Sequence, residues 1–322
     1  MNPSVVVVGV PDSGKSSFIA ALSHILEFKE IETALTLARL PDDAKYLHEM
    51  RSDWESCQPF ERTKSGMHPI TFNLIDKEGF QVDLFFPDIA GEEFDRQWSS
   101  RIWDEDFLQA IEHAEGVLLF LNVKTFRKPY SKADEDKVRR AALEMSGDDI
   151  EEREETLEII EEITDQGAAI AKLVSSQSSE GGDQESGANN ANDPTIWKPE
   201  EADEQAKLVD ILQGLADYAP DKQWRLGIIV SAWEIIHNLT PDVAAKTWIE
   251  RNAPLLRQYL QSNPQSFNVE VFGVSAQGGD PIRDAKKLQS IKTPSERVLV
   301  IADGYKGHDL TQVVAWVTSK HD

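Results

Sequence analysis

The chain of 322 residues contains one cysteine, Cys57. A lone thiol cannot close an intramolecular disulfide, so a reducing compartment is its simplest home, and Cys57 reads as a small, partly buried side chain. No stretch approaches the ~18–20 uninterrupted apolar residues that a membrane span needs. The start lacks the basic, apolar and small-residue layout of a secretion signal and enters a strand almost at once. These absences predict a soluble, cytoplasmic protein. Positive charge is also scarce: 33 Lys and Arg stand against 57 Asp and Glu, a formal net charge of −24. Such a surface repels nucleic acid and anionic membrane, which argues against both as partners and favours proteins. The excess is concentrated, with 22 acidic and 7 basic residues between Lys132 and Glu204.

Apolar residues make up an ordinary 40% of the chain, and they fall in short runs. Val5 to Val10 (VVVVGV) is a continuous β-branched run, the pattern of a buried parallel strand. A glycine-rich turn follows, then helical spacing over Ser16–Phe28. Pro69–Asp76 and Phe80–Asp88 read as strands joined through Lys77-Glu78-Gly79, which predicts an antiparallel hairpin. The polar region 31–68 has some helical pattern and a loop near 59–66. Phe107–Ala114 reads as a helix. Gly116–Val123, Arg225–Ala232 and Val269–Ala276 read as buried strands. Arg297–Asp303 suggests a last strand, before an amphipathic helix that Asp309 could cap. The predicted fold is α/β: a doubly wound, mostly parallel sheet with one antiparallel edge hairpin, forming a single domain over 1–322.

Residues 129–199 interrupt this plan. An acidic helical stretch (DIEEREETLEIIEEITDQ) precedes a low-complexity one (SSQSSEGGDQESGANNAND) too poor in apolar residues to bury a core. This insertion reads either as a solvated excursion or as an arm that docks a protein partner. The helix EQAKLVDILQGLADY then resumes the core.

Gly9-Val10-Pro11-Asp12-Ser13-Gly14-Lys15-Ser16 matches G-x-x-x-x-G-K-[ST] in full, after a buried strand and before a helix. The glycines allow a tight turn that aims backbone N–H groups at a phosphate, and the helix N-terminus adds to that field. Asp12, Ser13, Gly14, Lys15, Ser16 and Ser17 are the expected phosphate-binding set. Lys15 neutralises the β- and γ-phosphates, and the Ser16 hydroxyl ligates magnesium. Asp88-Ile89-Ala90-Gly91 ends the hairpin; an aspartate there holds magnesium through water, and the Gly91 amide senses the γ-phosphate.

The P-loop, hairpin, DIAG and later strands resemble a translation-factor-class GTPase of the Ras-like superfamily over most of the chain outside 129–199. The spacing, the long insertion and the ending KGHDLTQVVAW further resemble the double-GTPase-like domains of bacterial conflict systems. The resemblance implies a P-loop GTPase fold, Mg2+ and GTP or GDP as bound species, and a switch whose partner could be encoded in the same system. It implies a magnesium-binding threonine ahead of DIAG, best matched by Thr63, with Thr33, Thr36 and Ser65 as alternatives. Arg62 is either an internal arginine finger or a solvent-exposed loop residue. Where the family often has a catalytic glutamine this chain has Glu92, whose charge beside a phosphate predicts slow intrinsic hydrolysis. The guanine-reading N-K-x-D is replaced by Ser231-Ala232-Trp233-Glu234. Glu234 could accept from guanine and Trp233 could give surface to the base; the alternative is a strand end with a packed tryptophan. Ser275, Ala276 and Gln277 look like the S-A-K loop whose alanine amide faces guanine O6. The expectation is a slow regulatory GTP hydrolase, against a nucleotide-binding scaffold or an ATPase.

Overall fold

The computed structural model describes residues 2–41, 44–58, 69–87, 91–103, 105–126 and 202–319, with only the backbone of residues 44, 91–95 and 106. The chain divides into a unit of residues 1–127 with 198–322 and a second unit of 128–197, which lies outside the described residues. The first unit carries, in chain order, β1 (Ser4–Gly9), α1 (Lys15–Phe28), β2 (Leu35–Leu37), α2 (Ala44–Glu55), β3 (Ile70–Asp76), β4 (Gln81–Phe86), α3 (Gly91–Ser100), α4 (Glu105–Glu112) and β5 (Ala114–Asn122). It continues with α5 (Glu204–Tyr218), β6 (Trp224–Ser231), α6 (Glu234–Leu239), α7 (Ala245–Asn252), α8 (Pro254–Ser262), β7 (Phe267–Ser275), α9 (Ala285–Gln289), a 3-10 turn (Pro294–Arg297), β8 (Leu299–Ala302), β9 (Tyr305–Gly307) and α10 (Thr311–Thr318).

Among the described residues, one sheet runs β2-β3-β4-β1-β5-β6-β7-β8-β9. Its centre is parallel: β1 pairs with β4 and β5, β5 with β6, and β6 with β7. The expected hairpin is antiparallel, with Ile70 opposite Phe86 and Ile75 opposite Gln81. The opposite edge adds antiparallel β8 and β9, and β2 extends the hairpin side. Two strand alternations explain why the central runs are apolar throughout. Val5 and Val7 join a core with α1, α2 and α10, whereas Val6 and Val8 face α4, α5, α7 and α8. Both faces of β1 are thus dry, and each fully buried valine or leucine contributes about 1.5–3 kcal/mol. Among the described residues no helix is long and apolar enough to cross a membrane.

Asp309 does cap the last helix, and it does more. Its Oδ1 accepts from the Thr311 N–H at 2.8 Å and the Thr311 hydroxyl at 2.7 Å, while Oδ2 accepts from the Ala34 N–H at 2.7 Å. One buried carboxylate therefore joins α10 to the chain entering β2. Burial pushes its pKa up, against the hydrogen bonds from Thr311 and Ala34 that pull it down.

Candidate functional site

The carboxyl ends of β1, β5, β6 and β7 converge on the P-loop, where open α/β sheets bind ligands. Asp12 adopts a left-handed backbone with φ 56°, tolerable for an aspartate, and Gly14 has φ 96°. Two neighbouring strands brace the loop. The Asn122 side chain, ending β5, donates to the Asp12 carbonyl at 2.8 Å. The Ser231 hydroxyl, ending β6, donates to the Ser13 carbonyl at 2.7 Å. A Cβ on Gly14 would lie 2.6 Å from Ser231 Oγ, so this close approach requires glycine.

Lys15 Nζ donates to the carbonyls of Gly9 at 2.7 Å and Val10 at 2.8 Å, and to Ser13 Oγ at 3.1 Å. The ammonium thus sits inside the loop's concavity. Burial pushes its pKa down to about 8, opposed by the charges of Asp12 and of Glu204 at the start of α5. No side chain caps the N-terminus of α1, and no acidic residue stands in its first turn. A lysine held by two backbone carbonyls and a hydroxyl, beside a helix with no acidic residue in its first turn, is a cradle that fits phosphate.

Beside the P-loop lies a cavity of about 150 Å³ whose walls include Gly14, Ser17, Ala232, Glu234, Ala276 and Gln277. The carboxylate of Glu234 accepts a hydrogen bond from the Ser275 hydroxyl at 2.6 Å. Ser275 Oγ in turn accepts from the Gly278 N–H at 3.1 Å. Ser275 is buried and holds both Glu234 and its own loop, while Ala276 and Gln277 line the space.

Trp233 is a correction. It is fully buried and does not line the cavity. Its indole packs on Gly273 of β7, where a Cβ would come within 2.5 Å of the ring. The tryptophan is core, so it offers no surface to a base. Thr36 is corrected as well. It pairs with Ile75 at the hairpin-turn end of β3, whereas the P-loop lies beyond the opposite end of the hairpin. Thr33 enters β2 from the same far end. The expected Thr63, Arg62, Ser65 and Asp88 lie outside the described residues, as does the side chain of Glu92; Gly91 is the first residue of α3. Among the described residues no group of three or more His, Cys, Asp or Glu is gathered as for a metal ion, and of the expected magnesium set only Ser16 falls within them.

Sequence reasoning missed the role of α2. The Trp54 indole N–H donates to the Ala276 carbonyl at 2.9 Å, and Gln277 Nε2 donates to the Trp54 carbonyl at 3.2 Å. The Arg297 guanidinium donates to the Glu55 carbonyl at 3.1 Å and lies over the Trp54 ring. His24 faces Glu55 at 2.7 Å and Glu30 at 3.2 Å, tying α1 to the same corner. Nothing in the sequence spacing links Trp54 with Ala276; in the sequence Asn122 is one residue within the 116–123 strand run, and Ser231 reads only as the first residue of the segment in place of N-K-x-D.

The P-loop after β1, the sheet order and the antiparallel hairpin define a P-loop nucleotide-binding protein of the GTPase fold. A family model, Double-GTPase 1, matches residues 6–317, and the chain belongs to that family. No curated protein matches the chain significantly. Among solved structures it is similar to the signal recognition particle receptor SRb–GTP/SRX complex from Chaetomium thermophilum, at 12% identity and TM-score 0.35, covering 90% of this chain and 97% of that one. It is also similar to nucleolar GTP-binding protein 1 from Plasmodium falciparum, at 9% identity and TM-score 0.32, covering 89% and 84%. The GTP-bound GTPase-like domain of Ski7 from S. cerevisiae matches at 11% identity and TM-score 0.36, covering 87% of this chain and 44% of that chain.

Proposed function

We propose that the chain binds Mg-GTP, hydrolyses it slowly to GDP, and presents different loop conformations to a protein partner in the two states. The observation that carries this reading is Glu234: it lines the cavity beside Gly14 and Ser17, with its carboxylate oriented by Ser275. A carboxylate there can accept from the N1 and N2 hydrogens of guanine, a pattern that adenine lacks. The Ala276 loop supplies the edge that would meet O6. This pairing favours GTP over ATP despite the loss of N-K-x-D.

In this mechanism the P-loop amides and Lys15 hold the β- and γ-phosphates. Magnesium would be held by the Ser16 hydroxyl with Asp88 and Thr63, and would supply positive charge to the nucleotide's phosphates. Glu92 orients the attacking water, but its negative charge beside the phosphate keeps turnover slow. Arg62 has the type and sequence position of an internal arginine finger. The acidic surface, with its net charge of −24, suits a protein partner, and residues 129–199 are the segment through which it would dock within an otherwise single domain.

The test is calorimetric titration of nucleotide-free protein with GTP, GDP and ATP in magnesium, followed by phosphate release. Tight GTP and GDP binding with slow release supports the switch. Equal or tighter ATP binding overturns the guanine assignment. Binding with no measurable release replaces the hydrolase by a nucleotide-held scaffold.

A further inference from the structure

We propose that Lys124 covers the face of the bound base, supplying from the end of β5 the aliphatic stem that the β6 loop lacks. The inference rests on the guanine-nucleotide reading above.

A purine needs its polar edge read and its flat faces covered. Glu234 and the Ala276 loop offer the edge. The faces are the gap: Ala232 has a single side-chain carbon, and Trp233 is buried against Gly273. Gln277 also lines the cavity, but its amide is committed to the Trp54 carbonyl at 3.2 Å. Among the described lining residues, Lys124 alone carries a long apolar stem.

That stem is fixed at both ends. At its root, the Lys124 N–H donates to Asn122 Oδ1 at 2.9 Å, and the same Asn122 side chain holds the P-loop through the Asp12 carbonyl. At its tip, Nζ reaches Asp280 Oδ2 at 3.4 Å. Asp280 sits between Gly279 and Pro281, which both line the cavity, and its Oδ1 is held by the N–H groups of Ile282 and Arg283, each at 3.0 Å. The lysine therefore runs from the strand end beside the P-loop to the loop beyond Ser275-Ala276-Gln277. An ion pair this exposed adds little to folding. Its consequence is orientation: the four methylenes are kept along the cavity in place of sweeping through solvent.

The experiment titrates GDP and inosine diphosphate into wild type, Lys124→Ala, Lys124→Met and Asp280→Asn, with unfolding midpoints measured alongside. Removing the stem should weaken both nucleotides in the same proportion, by roughly five- to twentyfold, because apolar contact with the ring ignores the 2-amino group. Lys124→Met keeps an unbranched apolar stem without the charge and should stay within about threefold of wild type, and Asp280→Asn should fall between. Unfolding midpoints should barely move. Lys124→Ala binding GDP as wild type does overturns the proposal, as does a loss that methionine fails to restore, since that would assign the effect to charge. Wild type that binds no guanine nucleotide sinks the underlying reading instead, and is seen before any variant is made.

Discussion

Replacing Gly14 with alanine adds one methyl group where the structure has no room. The backbone there is left-handed at φ 96°, which costs an L-residue about 1–2 kcal/mol. The new Cβ would also lie 2.6 Å from Ser231 Oγ and 2.8 Å from Ser231 Cβ. Overpacking of this kind costs about 1–3 kcal/mol. Ser231 cannot turn aside freely, because its hydroxyl donates to the Ser13 carbonyl at 2.7 Å. The two terms together predict a loss of about 2–5 kcal/mol in unfolding free energy. Ser231→Gly alone forfeits that hydrogen bond and adds backbone freedom, about 1–2 kcal/mol. The double variant keeps the φ penalty but loses the clash, so its cost should fall short of the summed single costs by about 1–3 kcal/mol. Urea unfolding of the four proteins measures this coupling directly, and GDP titration should show weaker binding in all three variants, since Ser231→Gly removes the brace on the Ser13 carbonyl and alanine displaces the loop. Additivity to within about 0.5 kcal/mol would show that the methyl never meets Ser231, and the account of how β6 backs the P-loop would be wrong.

The pH dependence has a definite sign. Lys15 is pushed down to about 8 from 10.5, so between those values the unfolded chain holds the extra proton and stability rises with pH. Phosphate favours the ammonium, so nucleotide binding above pH 8 takes up a proton and affinity falls by up to about tenfold per unit. Titrations in buffers of different ionisation enthalpy should detect that uptake, and Lys15→Gln should abolish it. Trp54→Phe deletes the indole N–H and leaves a smaller aromatic ring in a fully buried place; it should cost about 2–4 kcal/mol in denaturant unfolding and narrow the GDP-over-ADP preference, because the Ala276 carbonyl loses its anchor. Asp309→Ala leaves the Ala34 and Thr311 N–H groups without their acceptor and should cost about 2–4 kcal/mol, whereas Asp309→Asn should recover part of it, both read from thermal midpoints.

The sequence by itself determined the sheet's centre and the phosphate cradle. Val5–Val8, Gly116–Leu121 and Leu226–Val230 are strands because a segment buried on both faces tolerates only apolar side chains. The P-loop was legible because phosphate binding there depends on contiguous backbone, and contiguity is what a sequence records. Tertiary structure decided the rest, since each remaining feature joins residues remote in the chain. Trp233 looked available to a base until β7 brought Gly273 beneath its ring, and Thr36 looked eligible for magnesium until the β2–β3 register carried it to the far end of the hairpin. Asn122 meets Asp12 and Lys124 meets Asp280 because parallel strands deliver their carboxyl ends to one side of the sheet, and Trp54 meets Ala276 because α2 packs against the loop that follows β7. Local propensity can say that apolar strands run through 116–123 and 225–232, but only the packed sheet gives the polar Asn122 and Ser231 a P-loop to hold.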